Sequence, residues 1–157
     1  MKTVVGVISD THGLLRPEAV QFLRGSDHIV HAGDIGKSEI LDTLASIAPV
    51  TAIRGNNDES AWAQALAATE LKQFGGVAVY VLHNLAELDL DPHADGIRVV
   101  VSGHSHRPRI AEDNGVLYIN PGSAGPRRFR LPITAGEIVI ADGAITPRII
   151  ELPIARQ

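Results

Sequence analysis

Five short apolar runs in this chain each end in residues able to bind metals. Residues 3–9 run into Asp10-Thr11-His12, residues 28–31 into Ala32-Gly33-Asp34, and residues 50–54 into Gly55-Asn56-Asn57-Asp58. Residues 77–82 run into His83-Asn84, and residues 98–102 into Gly103-His104-Ser105-His106. Carboxylate, imidazole and amide oxygen are ligands for Mn, Fe, Zn, Co or Ni. Asp10 and His12 are two residues apart, as are His104 and His106. On a strand or its extension, positions i and i+2 point the same way, so each pair can aim two side chains at one site. The candidate ligands are Asp10, His12, Asp34, Asn56, His83, His104 and His106. That set is too large for one ion of ordinary coordination and suits two divalent ions sharing a carboxylate. Taken singly, an Asp or Asn after a strand is usually a turn former or a helix cap. Turn chemistry alone does not produce five such strand ends in one chain.

Something must hold these residues at one edge. The runs are β-branched and nearly continuous in apolar character, as expected of strands covered on both faces. Further strands are expected at 116–119, 137–141 and 145–152, the last two joined by the turn signal Asp142-Gly143. Helical character lies between the early strands. Residues 17–24 open on Pro17, which suits a first helical turn. Residues 38–47 space Ile40, Leu41, Leu44 and Ile47 as a helix does, and 60–69 is Ala-rich and reads as a third helix. Segment 84–96 reads as a short helix followed by a loop. The order is an α/β domain, with added antiparallel strands toward the C-terminus. In α/β sheets, ligands bind beyond the carboxyl ends of the strands, so neighbouring strands would turn all five clusters into one crevice.

Composition narrows the function. With 45% hydrophobic and 20% charged residues in 157, one domain spanning 1–157 can bury a sizeable core. The net charge of −4 argues against a general nucleic-acid binder. Zero Cys excludes disulfides, thiolate-bound zinc, iron–sulfur clusters and thiol catalysis. No apolar stretch approaches the roughly 20 residues of a membrane span, and no signal-peptide layout is present, so the expectation is a cytoplasmic protein. A phosphate-binding loop of the G-x-x-x-x-G-K-[ST] type is missing, and Ser123 lacks the first Gly of a G-x-S-x-G elbow.

The ordered motifs D-x-H, G-D, G-N-x-D, a His after a strand, and G-H-x-H resemble the calcineurin-like metallophosphoesterases, and within them the small bacterial and archaeal phosphodiesterase branch. Asn120-Pro121-Gly122-Ser123 is similar to that branch's N-P-G-S segment. The resemblance runs from residue 3 to about 125. It implies a four-layer α/β/β/α sandwich of two mixed sheets flanked by helices, with a dinuclear site at its edge. It further implies that Asp10, His12 and His106 hold one metal, that Asn56, His83 and His104 hold the other, and that Asp34 bridges them. The implied activity is phosphodiester hydrolysis by in-line attack of a hydroxide bridging two divalent metals, Mn foremost. The substrate is then a small phosphoester. The alternative is a binding or scaffold module that keeps the fold without catalysis.

Two positions depart from the family pattern. Asn57 stands where many relatives place a His that assists the leaving group, and Asn84 stands where Gly is common. Asn57 is the candidate catalytic residue, and with Arg127 the candidate substrate contact. Arg128 and Arg130 share the Arg127 cluster, whose guanidinium groups suit phosphate oxygens. Arg54 and Arg107 flank motifs and read either way. Asn120 is a candidate support for a ligand imidazole, His31 a packed or supporting His, and Asp58 a helix cap or an orienter of Asn56. A homodimer is the base-rate expectation for assembly.

Overall fold

A computed structural model describes residues 1–154 of the chain. The last three residues of the expected 1–157 unit lie outside the described residues.

The strands form two mixed five-stranded sheets. In the first, β1 (Lys2–Ile8), β2 (His28–His31) and β3 (Val50–Ala52) run parallel, and β9 (Thr134–Ala141) and β10 (Ala144–Glu151) add antiparallel in the order β10-β9-β1-β2-β3. In the second, β5 (Val77–Leu82), β6 (Val99–Val101) and β8 (Val116–Asn120) run parallel. They are flanked by antiparallel β4 (Thr69–Phe74) and β7 (Arg109–Asp113) in the order β4-β5-β6-β8-β7.

Strand alternation decides which side chains meet. Val5 and Val7 of β1 pack with Val30, Val79, Val81, Val99 and Val101 in a core between the sheets. Ile8 of β1 and Ile29 of β2 point the other way, onto α1 (Pro17–Leu23) and α2 (Ser38–Ala45), where Leu23 and Leu44 are fully buried. Burying each such side chain contributes about 1.5–3 kcal/mol. The apolar runs are therefore continuous because both faces of each sheet are covered.

The outer face of the second sheet is covered differently. Tyr80, Leu82 and Val100 pack beneath Leu85, Leu88 and Leu90. That segment holds a single turn of 3-10 helix (Leu85–Glu87), capped by the Asn84 side chain, which accepts from the Ala86 N–H at 3.1 Å. Pro92 and Gly96 follow within a few residues, so no longer helix forms there. The fourth layer is thus a stapled irregular segment.

Two strands escape the apolar-run criterion. The expected helix over 60–69 shrinks to α3 (Ala61–Gln64), and the chain then enters β4. Both β4 and β7 are exposed edge strands with polar sequences, so neither carries a buried stripe. Gly75-Gly76 and Asn114-Gly115 make their hairpin turns, with positive φ at both positions, as do Asp142 and Gly143 between β9 and β10. No helix among the described residues is long and apolar enough to cross a membrane.

Candidate metal centre

The five motif clusters meet at one edge of the sandwich, but across two sheets rather than along one. Asp10 and His12 follow β1, Asp34 follows β2, and Asn56 and Asn57 follow β3. His83 follows β5, and His104 and His106 follow β6. Backbone hydrogen bonds carry the pairing past the strand ends: Asp10 N–H donates to Gly33 O, His12 N–H to Asp34 O, and Gly103 N–H to His83 O, all at 2.9–3.0 Å.

Strand periodicity does not aim the D-x-H and H-x-H pairs. Asp10, His12, Asp34, His104 and His106 all have left-handed backbone, with φ of 56°, 45°, 57°, 70° and 62°. Only three other non-glycine residues share that region among those described, and all three lie in turns or loops. Such conformations cost free energy and persist only where surroundings enforce them. The concentration at the cluster marks it as a built site. Gly55 and Gly103 are required there for a second reason. A Cβ at Gly55 would collide with Asp34, and one at Gly103 with Ser9 and Asp10.

The inner cluster is buried. Oδ1 of Asp10 lies 3.5 Å from His106 Nε2, 3.7 Å from His12 Nε2 and 3.8 Å from His83 Nε2. Oδ2 of Asp34 lies 3.2 Å from His83 Nε2 and 3.6 Å from His12 Nε2. Two sets can converge on a cation: Asp10, His12 and His106, and Asp10, Asp34 and His83. His104 and Asn56 form an exposed lip, with His104 Nδ1 3.2 Å from Asn56 Oδ1. The His104 ring meets the His83 ring edge-on, at 5.2 Å between centroids.

Whether these residues suit cations can be tested on their unused atoms. Among the described residues, the buried side-chain atoms without a hydrogen-bond partner are Asp10 Oδ1, His12 Nε2, His83 Nε2 and His106 Nδ1. Leaving a buried polar atom unpaired costs about 1–3 kcal/mol. All four belong to this cluster, and their N/O chemistry suits divalent transition ions. The residues fit.

Supporting contacts fix Asp10, Asp34 and His83. Asp10 Oδ2 accepts from Ser9 Oγ at 2.7 Å and from the His104 N–H at 3.1 Å, which leaves Oδ1 for the cluster. The Asp34 carboxylate accepts from the Asn57 N–H at 2.9 Å and the Asn57 side-chain amide at 3.1 Å. His83 Nδ1 lies 2.7 Å from Ala32 O, so Nδ1 carries the proton and Nε2 faces the carboxylates. Burial opposes ionisation of Asp34, yet contact with His83 and the Asn57 N–H holds its pKa below the ordinary range. Burial likewise opposes ionisation of Asp10, but His12, Ser9 and the charges of His83 and His106 lower its pKa. Burial depresses His106. The Asp10 charge opposes that shift, and the Arg128 and His12 charges reinforce it.

His31 and Asp58 hold the loops beneath. Thr11 Oγ1 donates its one proton to Ile35 O at 2.8 Å, so His31 Nε2, at 3.0 Å, is the donor to Thr11. His31 Nδ1 accepts from the Gly33 N–H at 3.1 Å. The ring is neutral, and burial pushes its pKa down to about 4 against the pull of nearby carboxylates. Asp58 does not cap α3, whose N-cap is Ser60, and its carboxylate is not hydrogen-bonded to Asn56. Its carboxylate accepts from the backbone N–H groups of Ile35, Gly36 and Gly55 at 2.9–3.2 Å.

Other residues fall elsewhere than the motifs suggest. The Asn120 amide donates to Gly103 O and Ser105 Oγ, bracing the turn rather than an imidazole. Ser123 Oγ donates to Asp10 O at 3.0 Å. Arg127, which the sequence offers to a phosphate, donates to Leu131 O of its own loop at 3.2 Å. Asn57, offered as catalytic or substrate-binding, spends its side-chain amide on Asp34. Ser9, Arg109 and Tyr118 carry no motif signal. Ser9 is nonetheless the partner of Asp10 Oδ2, and Arg109 and Tyr118 line a cavity beside His104.

Comparison with known proteins places the chain in a family. The calcineurin-like phosphoesterase superfamily domain matches residues 3–143. A probable metallophosphoesterase of Methanocaldococcus jannaschii is 35% identical over 133 residues, covering 76% of this chain and 67% of that protein. An archaeal phosphodiesterase structure superposes with a TM-score of 0.78 at 23% identity, covering 97% of this chain and 100% of the other. Vps29 of Chaetomium thermophilum shares the fold at a TM-score of 0.75 and 17% identity, covering 96% of this chain and 100% of the other. With its family match spanning nearly the whole sequence and its donors gathered at one edge of two mixed sheets, the chain belongs to the calcineurin-like phosphoesterase superfamily.

Proposed function

We propose that this protein is a metal-dependent phosphodiesterase acting on small phosphoesters. Asp10, His12 and His106 would hold one divalent ion, and Asn56, His83 and His104 a second, with Asp34 shared. Manganese is the first candidate, followed by Ni, Co, Fe and Zn. The observation that carries this reading is the set of four unpaired buried donor atoms, all within one cluster. When bound, a pair of divalent ions supplies Lewis acidity toward phosphoryl oxygens and brings the pKa of a coordinated water near neutrality.

The chain's own residues do the rest by position. Ser9 and the His104 N–H fix the Asp10 carboxylate. Asn57 fixes both oxygens of Asp34, and Ala32 O fixes the His83 tautomer. Each support is an outer contact of the kind that tunes ligand orientation. The buried hydroxyls of Ser9 and Ser123 are both committed to Asp10, so neither is a free nucleophile and water is the attacking group. The exposed pair Asn56 and His104 forms the side from which a substrate enters. With the Asn57 amide held by Asp34, no acid stands at that position for a poor leaving group, which favours activated esters such as aryl diesters.

The test is to strip the protein of metal and assay bis-p-nitrophenyl phosphate with Mn, Ni, Co, Zn and Mg in turn, measuring stoichiometry on the same sample. Two ions per chain with restored turnover, lost in Asp34→Asn, is the expected result for a two-metal site. Absence of bound metal would overturn the ligand assignment. Two ions without turnover on any ester would favour the scaffold alternative.

A further inference from the structure

Two cavities flank the candidate centre and share His104 and Asn84 as a common wall. One, of about 350 Å³, is lined by Arg54, Glu87 and Asp89 among others. Its guanidinium is already bound to Leu66 O, and its two carboxylates repel an anion. The other, of about 590 Å³, has no carboxylate in its lining. Leu85, Tyr118 and Leu131 give it an apolar wall, and Arg107 and Arg109 supply two cations. Arg107 and Arg109 are both exposed, and neither guanidinium makes a hydrogen bond or ion pair among the described residues. Among the described residues, Arg16, Arg54, Arg98, Arg127 and Arg148 bind protein oxygens, and of the arginines left unengaged only Arg107 and Arg109 line this cavity.

Resting on the phosphoesterase reading, we propose that the larger cavity is a substrate subsite for an ester arm that combines a flat ring with a second phosphate. The ring lies against Tyr118 and the leucines, and the second phosphate is held by Arg107 and Arg109. Guanidinium forks bind phosphate oxygens in pairs, and an aromatic wall accepts any base by its face. The preferred substrates are then phosphorylated nucleotide esters rather than uncharged diesters. The motifs alone favour the Arg127 cluster for this role, but the side chain of Arg127 is turned onto its own loop.

Equilibrium binding tests the subsite without requiring turnover. Thymidine 3′,5′-bisphosphate and thymidine 5′-monophosphate differ by one phosphate, and both are titrated calorimetrically against the whole protein. The bisphosphate is expected to bind roughly tenfold tighter or more, the range of charged hydrogen bonds. Arg107→Ala and Arg109→Ala should each reduce that ratio, and the double variant should bring it near one. Tyr118→Ala should weaken both ligands alike and leave the ratio in place. Equal affinities in the unaltered protein, or a ratio that survives the double substitution, would overturn the subsite. Hydrolysis is scored separately on 5′-phosphorylated and unphosphorylated thymidine dinucleotides. If the binding ratio follows the arginines but no ester is cleaved under any metal, the phosphoesterase reading fails and the subsite stands. If esters are cleaved but no ratio depends on the arginines, the subsite fails and the phosphoesterase reading stands.

Discussion

The backbone N–H of His104 donates to Oδ2 of Asp10 at 3.1 Å, across 94 residues of chain. Asp10 follows the central strand of one sheet and His104 follows the central strand of the other. One carboxylate thus ties the two sheet edges together with one oxygen and presents the other to the cluster. Docking of the edges and aiming of a donor are the same contact.

Asp10→Asn separates the two roles. The amide oxygen can still accept from Ser9 and His104, but an NH₂ group replaces Oδ1 in the cluster. The variant should fold with near-normal urea stability. Metal affinity should fall by more than the roughly 10–100-fold typical of losing an outer contact. Equilibrium dialysis with Mn checks this, and unchanged affinity would remove Asp10 from the ligand set.

Asp58 makes a different prediction because its work is structural. It is 4% exposed and accepts from three backbone N–H groups in the loops after β2 and β3. Asp58→Ala leaves those donors unpaired, which should cost about 3 kcal/mol. Urea denaturation in chelator measures this without interference from metal. A loss below about 1 kcal/mol, the scale of one ordinary hydrogen bond, would show that water replaces the carboxylate.

Much of this site is legible in the sequence because its donors are short motifs at strand ends, and strand ends are marked by apolar runs. The two-sheet arrangement comes from family resemblance alone, since nothing local tells β3 from β5 as members of different sheets. Edge strands β4 and β7 escape notice because their exposure removes the apolar signal, although Gly75-Gly76 and Asn114-Gly115 carry the turn signal that closes both hairpins. The left-handed backbone at Asp10, His12, His104 and His106 is invisible too. Those residue types have no strong need of it, and tertiary contacts impose it. Asp58 shows the same limit. Two of its three backbone donors lie more than 20 residues away, which no local pattern reports.

His31 sets a pH dependence. Its folded pKa of about 4 lies below the ordinary value of 6.5 because the ring is fully buried. As pH falls, the unfolded chain takes up the proton first. The stability of the neutral ring is therefore complete above pH 6.5 and is lost as pH drops toward 4. One proton over that window amounts to about 3 kcal/mol. The His31 ring signal in NMR should titrate near pH 4. In chelator, His31→Gln should show a shallower acid loss of stability than the unaltered protein, and parallel profiles would contradict the assignment.

Asn57→Ala probes whether that residue positions a carboxylate or meets the substrate. The side-chain amide reaches Asp34 Oδ2, but the Asn57 backbone N–H holds Oδ1 and survives the substitution. Asp34 should therefore stay ionised and the fold intact, with one oxygen freer to rotate. Metal affinity should fall about tenfold, the lower end for an outer support. Turnover at saturating metal should recover most of its value, with KM for bis-p-nitrophenyl phosphate little changed. Direct substrate contact predicts the reverse: unchanged metal affinity and a KM raised in proportion to the lost contact. Titrating metal and substrate independently distinguishes the two, because the first pattern is corrected by more metal and the second is not.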